Sequence, residues 1–303
     1  MSVTKDYLKL HFVVWIWGFT AILGLLITIP AVELVWYRTM IASMALAVLL
    51  YLRGQKFSLG RKEVLKILGT GFIISAHWIL FFAAARVSTA SVGLAGMATC
   101  SLWTSFIEPL VNKRSIKIFE LALGLMAIVG LYVIFRFEFN HALGLFMAVI
   151  SAFLAALFSV INGQLTKKHN PFMITFYEML GAFIGTSIFF PAYIRWFTND
   201  GTLHLALAPM DWVYILILAV ICTVYAFSAS VELMKRLSAF VVNLTVNLEP
   251  VYGIMLAVII FGEKEQMAPG FYWGTLIILV SVLIYPVINR YYRRKALDVD
   301  NLR

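Results

Sequence analysis

Residues 243–253 read NLTVNLEPVYG, within an apolar run from about Leu237 to about Phe261. A hydrocarbon core about 30 Å thick takes about 20 helical residues, so the run is long enough to cross a bilayer. Yet it carries a carboxylate, Glu249, followed at once by Pro250. An ionised carboxylate at mid-membrane costs on the order of 2.5–3.5 kcal/mol on insertion scales. Proline adds a second fault, because it removes the N–H that would bond the carbonyl of Val246. Adjacent faults point to a common cause: a kinked helix enclosed by protein or water. At about 100° per residue Thr245, Glu249, Tyr252 and Gly253 share one stripe, and Asn243, Asn247 and Pro250 share another on roughly the opposite side. An exposed carbonyl beside a carboxylate suits a substrate ammonium or a proton, as in a discontinuous transporter helix. The alternative is a structural kink in which Glu249 bonds a neighbouring helix.

The same ruler applied to all 303 residues gives ten spans, at about 10–28, 33–52, 64–85, 89–111, 116–135, 142–163, 171–194, 212–234, 237–261 and 269–289. With 62% hydrophobic residues, 13% charged and a mean hydropathy of +0.91, the composition is that of a polytopic membrane protein. The expected fold is all-α, and the longest connection, Arg195 to Asp211, reads as a simple surface loop. A net charge of +9 would suggest nucleic acid in a soluble chain. Here its placement argues otherwise. If the spans alternate from an internal N-terminus, all but five of the 24 Lys and Arg fall on one side; the exceptions are Arg86, Arg136, Arg195 and Lys264 opposite and Arg38 within a span. Such bias puts both termini in the cytoplasm and makes the lipid bilayer, not nucleic acid, the partner. Cys100 and Cys222 fall inside spans and read as small packing residues, and no metal-ligand spacing occurs.

Five spans lie in residues 1–136 and five in 137–303. Shifting residues 62–137 by 150 positions pairs Ala76 with Ala226, Arg86 with Arg236, Ser88 with Ser238, Val92 with Val242 and Gly124 with Gly274. A shift of about 140 sets Trp36-Tyr37-Arg38 against Phe176-Tyr177-Glu178. An odd number of spans per half makes the second half enter from the opposite side. The expectation is an inverted repeat of two five-helix units with a binding site at mid-membrane between them. In this alignment Thr99-Cys100 stands where Glu249-Pro250 does, and Glu108-Pro109 falls nine residues too late to be its counterpart.

The IWGFTA stretch from Ile16, WYRTMIASMA from Trp36, and NLEPVYG followed by FGEKEQ at Phe261 to Gln266 resemble the EamA-type drug/metabolite transporter family across residues 10–289. The resemblance implies a secondary transporter of the plasma membrane, the bacterial inner membrane, with a central cavity lined partly by helices three, four, eight and nine. It implies a small-molecule substrate, an amino acid or similar metabolite, moved outward, with protons as a candidate coupling ion and no cofactor. Oligomeric state is left open.

Other polar residues in the spans are candidates for the cavity. His77 and Trp78, with Ser75, Thr99, Trp103, Tyr225 and Tyr252, suit an aromatic cavity for an amphipathic solute. His77 also reads simply as a packed, hydrogen-bonded histidine. Arg38 and Glu178 each head a stripe of small residues, Ala42 and Ala45 in one helix and Gly181 and Gly185 in the other. They form an ion pair or gate near the twofold axis, or Arg38 snorkels to the interface. Asn243 and Asn247 read as interhelical hydrogen-bonding groups, Glu232 as a local partner of Arg236, and Glu108 and Glu120 as partners of Lys113, Arg114 and Lys117. Against an intramembrane enzyme, no H-E-x-x-H, no G-x-S-x-G and no aspartate falls in any of these spans. Against a membrane sensor, no long loop or soluble domain is present.

Overall fold

The computed structural model describes residues 3–55, 59–137, 139–262 and 267–300. The described residues form helices joined by short connections, with no strand. In chain order these are α1 (Thr4–Leu26), α2 (Ala31–Leu52), α3 (Arg61–Val87), α4 (Ala90–Asn112), α5 (Ile118–Phe137), α6 (Ala142–Leu165), α7 (Pro171–Trp196), α8 (Pro209–Leu233), α9 (Ala239–Phe261) and α10 (Pro269–Asp300). All but α5 and α10 are long and apolar enough to cross a membrane; those two carry shorter apolar stretches, Ile118–Gly130 and Pro269–Tyr285. Each expected span falls on one of these helices. Residues 263–266, the end of the FGEKEQ stretch, lie outside the described residues.

Packing follows a twofold pattern. Helix α3 lies on α6 and α7 as α8 lies on α1 and α2, and α4 lies on α6 as α9 lies on α1. The remaining large contacts join counterparts: α2 with α7, α4 with α9 and α5 with α10. These pairs run antiparallel. Trp36, early in α2, donates to Ser187 Oγ, late in α7, at 2.9 Å, and Phe119, early in α5, meets Tyr285 of α10 with ring centroids 5.8 Å apart. Between α4 and α9 three bonds fix the register. Asn247 donates to Ser101 at 2.7 Å, Asn243 to Thr104 at 2.8 Å, and the Phe240 N–H to Glu108 at 3.0 Å. The interhelical reading of both asparagines matches these bonds.

Helices α4 and α9 are each broken in two, into Ala90–Met97 and Cys100–Asn112, and Ala239–Val246 and Glu249–Phe261. The segments match end for end at one constant offset, one residue shorter than the 150 positions of the sequence comparison. The capping groups match as well: Thr89 and Ser238 accept from the backbone N–H groups of Val92 and Val241, and Lys113 and Gly262 end the helices at φ 51° and 59°. Across each break the chain makes the same three-residue bonds, Thr99 N–H to the Gly96 carbonyl and Leu102 N–H to Thr99 in α4, Leu248 N–H to Thr245 and Val251 N–H to Leu248 in α9. The counterpart of Glu249 is therefore Cys100, not Thr99, and that of Pro250 is Ser101. Pro250 does not cause the kink. It occupies the first turn of the segment starting at Glu249, where its missing N–H costs little.

The twofold pattern is broken elsewhere. Helix α1 is interrupted at Phe19, between Val3–Gly18 and Thr20–Leu26, and α8 winds as a π-helix over Ile217–Tyr225. Their counterparts α6 and α3 are regular helices throughout. The expected close-packing stripe of Gly181 and Gly185 exists, but it rests on α3, not on α2. A side chain at Gly71 would meet the Glu178 carbonyl, and one at Gly181 the Leu68 carbonyl. Nor is the segment between α7 and α8 a simple loop. Tyr37 donates to the Leu205 carbonyl at 2.9 Å, the His204 N–H to Glu33 at 3.1 Å, and Asp211 accepts from the N–H and hydroxyl of Thr28.

Candidate functional site

A cavity of about 80 Å³ lies among α1, α2, α3, α4, α6, α8 and α9. The breaks shape it. Gly18 and Gly253 bring the interrupted part of α1 against the start of the second α9 segment, and a side chain at either would meet the other helix. That contact carries Thr20 to Glu249, with Thr20 Oγ1 at 3.3 Å from Oε1 while its hydroxyl also reaches the Trp17 carbonyl at 2.7 Å. Glu249 is 7% exposed, and that exposure is toward the cavity.

Arg38 enters the same cavity from α2. Its guanidinium stacks over Trp78 at 3.8 Å from the ring centroid, and its Nε donates to Thr223 Oγ1 at 2.8 Å. A cation over an indole face is held by the ring quadrupole. Thr223 lies in the π-helical stretch and bonds the Leu218 carbonyl, five residues back. In the same stretch the Cys222 carbonyl accepts from Trp17 Nε1 at 3.0 Å, fixing another cavity side chain. Arg38 and Glu249 thus face one cavity from opposite halves of the chain without forming an ion pair with each other. A dry wall completes the chamber: Trp17, Trp78, Phe81, Phe158 and Phe227, with Met97 and Met234.

The residues singled out from the sequence divide sharply once placed. Glu249, His77, Trp78 and Arg38 line the cavity. His77 Nδ1 lies 2.9 Å from the Ser151 carbonyl and 2.8 Å from its hydroxyl, which in turn donates to the His77 carbonyl. Those are the bonds of a packed histidine joining α3 to α6. The remaining candidates point elsewhere. Thr245 Oγ1 donates to the Val241 carbonyl, Ser75 to Phe72 and Thr99 to Gly96, each within its own helix. Trp103 stands edge-on to Phe153, Tyr252 packs on Gly18, Pro250 is buried in the break, and Tyr225 is 46% exposed beside Phe12. One regular helical phase across α9 produces the stripe of Thr245, Glu249 and Tyr252. The α9 residues on the cavity are Val242, Asn243, Val246 and Glu249, the neighbouring stripe of the same helix, and Glu249 belongs to both.

Glu178 is fully buried on α7 and makes no ion pair with Arg38, whose contacts are those above. Thr20, Trp17, Cys100, Asn162 and Asn243 also line the cavity, and sequence reasoning does not place them there. Asn243 and Asn162 are polar residues in apolar runs, which is a visible signal. Thr20 and Trp17 fall within the IWGFTA stretch that carries the family resemblance, a signal for the motif but not for the cavity.

A second, polar cavity of about 250 Å³ lies at the ends of α4, α6 and α8 and the start of α9. It is bounded by Glu108, Asn112, Gln164, Lys167 and Arg236, and Met234 is common to both cavities. Gln164 donates to Asn112 across it. Nearby, Arg236 and Glu232 do not pair with each other. Both reach α1, Arg236 to Asp6 at 2.7 Å and Glu232 to Lys9 at 2.6 Å, and the bond to Asp6 holds the Arg236 guanidinium above its ordinary pKa. Glu108 and Glu120 pair with Arg114, and Glu120 with Lys117, as expected; Glu108 also holds the start of α9 through the Phe240 N–H.

A family model for the EamA-like transporter family matches residues 7–136 and again residues 142–285. One solved crystal structure of a protein shares the fold, with a TM-score of 0.69 at 14% identity over 95% of this chain and 99% of its own. No curated protein matches the chain at a significant level.

Proposed function

The chain belongs to the EamA-like transporter family, and from that premise we propose that it moves a small zwitterionic metabolite, an amino acid or close analogue, across the plasma membrane by alternating access. Its family is one of transporters, not enzymes, and the helices make it a multi-pass membrane protein. The observation that carries the substrate reading is the pair of opposite charges facing one apolar cavity without pairing. Arg38 suits a carboxylate, and its planar fork is the geometry for that ion. Glu249 with Thr20 suits an ammonium. Aromatic walls between the poles take up an organic side chain and exclude water, which strengthens both polar contacts.

The frame in this proposal is ten transmembrane helices in two five-helix repeats, residues 1–136 and 137–303, the second inverted. The antiparallel pairing of α2 with α7, α4 with α9 and α5 with α10 supports the inversion, since an in-plane twofold reverses each helix relative to its counterpart. Both termini are cytoplasmic by the Lys and Arg distribution, in the bacterial inner membrane, and the direction is export. The polar cavity beside Met234 then forms the cytoplasmic approach.

Purified full-length protein in liposomes, assayed by counterflow of labelled L-amino acids, tests this. Uptake by the wild type, lost in Arg38→Gln and in Glu249→Gln, is the expected result. Equal uptake of des-carboxy and des-amino analogues would overturn the two-pole reading. No uptake by the wild type with any amino acid would overturn the substrate class.

A further inference from the structure

Beside the cavity wall lies a second carboxylate that the two substrate poles do not use. Glu178 of α7 is fully buried, and neither of its carboxylate oxygens has a hydrogen-bond partner. Asn162 of α6 lies beside it. Asn162 is also fully buried, its amide oxygen and nitrogen are also unpartnered, and it lines the central cavity. Four buried polar atoms at one place without partners call for a ligand or a change of protonation.

The helices packed most extensively on α7 are α2, α3 and α8, while α6 brings Asn162 to it, and the charged and titratable groups of those three are engaged elsewhere. Arg38 is turned to Trp78 and Thr223, His77 to Ser151, and Glu232 to Lys9. Cys222 meets Trp17 through its carbonyl, and Tyr37 donates to Leu205. Helix α3 sets the backbone of Gly71 against the Glu178 carbonyl. An ionised Glu178 would thus have no opposite charge. Among the described residues no group of three or more His, Cys, Asp or Glu gathers that could hold a metal ion. A proton needs a single site. Placed on one Glu178 oxygen, it gives the pair a donor for Asn162 Oδ1 and leaves the other oxygen to accept from Asn162 Nδ2, two bonds that a small movement of the side chains would close. A carboxylic acid and an amide satisfy each other in this way, and a carboxylate and an amide do not.

We propose that Glu178 and Asn162 form a proton-carrying acid–amide pair at the edge of the cavity, and that this pair is the coupling site of the transporter. The role in coupling rests on the transport reading above; the existence of the pair does not. In the step itself one O–H bond forms on Glu178 with a proton taken from hydronium in the cavity, leaving water. The same bond breaks when the opposite side opens and water takes the proton away. Substrate and proton occupy different carboxylates, Glu249 and Glu178.

Two measurements on the full-length protein separate the claims. Infrared difference spectra in detergent, taken in a Glu249→Gln background, should show a protonated-carboxyl band that disappears with Glu178→Gln and shifts when Asn162→Leu removes its hydrogen bonds. Absence of that band from the difference overturns the proposal. If Glu178→Gln does not fold, the Asn162→Leu shift reads the same bond, and an unmoved band overturns the proposal equally. In liposomes loaded with labelled L-amino acids, Glu178→Gln should keep exchange at equal pH and lose accumulation driven by a pH gradient about tenfold or more. Gradient-driven accumulation that persists in Glu178→Gln overturns the coupling role. Absence of all exchange in the wild type would count against the transport reading alone, since the infrared result stands without it.

Discussion

Helices α4 and α9 are the same device built twice. Both are capped by a hydroxyl, broken after eight residues, joined by the same three-residue bonds and resumed for thirteen residues. They differ in what stands at the break: Cys100-Ser101 in one, Glu249-Pro250 in the other. The break is therefore a property of the frame, and the acid is an addition to it. Its position at the start of a resumed helix also puts it close to orphan N–H groups and the positive end of a helix dipole. Only one half presents a carboxylate there, and only the other half presents a guanidinium, from α2. Charge separation across the cavity follows from that inequality between otherwise matching halves.

The largest effect expected from disturbing this comparison comes from Glu249→Gln. It keeps the shape and removes the charge, so amino-acid counterflow should fall by about 30- to 100-fold, the equivalent of losing a charge-assisted hydrogen bond of about 2–3 kcal/mol. Residual counterflow near the wild-type rate would mean that the acid does not touch the substrate. Moving the charge to the matching position, with Cys100→Glu added, should not restore transport, because Thr20 and Arg38 approach from one side only.

Next is Gly253→Thr, which installs the residue found at the matching point of α4, Thr104. Its side chain would meet Leu94 and approach the Gly18 carbonyl. A loss of about 1–3 kcal/mol in unfolding free energy is expected, read as a lower midpoint of thermal or denaturant unfolding in detergent. An unchanged midpoint would show that the α1–α9 contact is looser than described. Asn243→Leu removes the bonds to Thr104 and Ser159 and should cost about 1 kcal/mol, since interhelical hydrogen bonds in membranes average about 0.6 kcal/mol. The same unfolding measurement checks it.

The smallest effect is expected from Pro250→Ser, which puts the residue of the α4 break, Ser101, at the matching point of α9. Stability should drop by no more than about 0.4–1 kcal/mol, the entropy a compatible proline contributes, and counterflow should be retained. If instead transport disappears and cross-links between α1 and α9 report a straightened helix, the proline makes the kink after all.

Much of the frame is legible in the chain. The apolar runs place every helix, and the paired sequence shifts anticipate two related halves. Asn243 and Asn247 read as interhelical groups and are. The site is less legible, for a specific reason. Periodicity assigns side chains to the faces of one helix, but it does not say which neighbouring helix or cavity a face meets. Thr245 and Tyr252 share the stripe of Glu249, yet Thr245 bonds its own helix and Tyr252 packs on Gly18, while Tyr225 is 46% exposed beside Phe12. Arg38 and Glu178 match across the repeat, but matching positions need not touch.

The sequence by itself determined that the chain is a bundle of membrane helices, that it repeats, and that Glu249 is out of place in lipid. Those conclusions rest on transfer free energies and chain length, which act residue by residue. Which side chains share the cavity was decided only by the tertiary structure. The close approach of Gly18 to Gly253 brings residues far apart in sequence, Thr20 and Glu249, to the same point. Such contacts depend on where several helices meet at once, and no window of one helix contains that information.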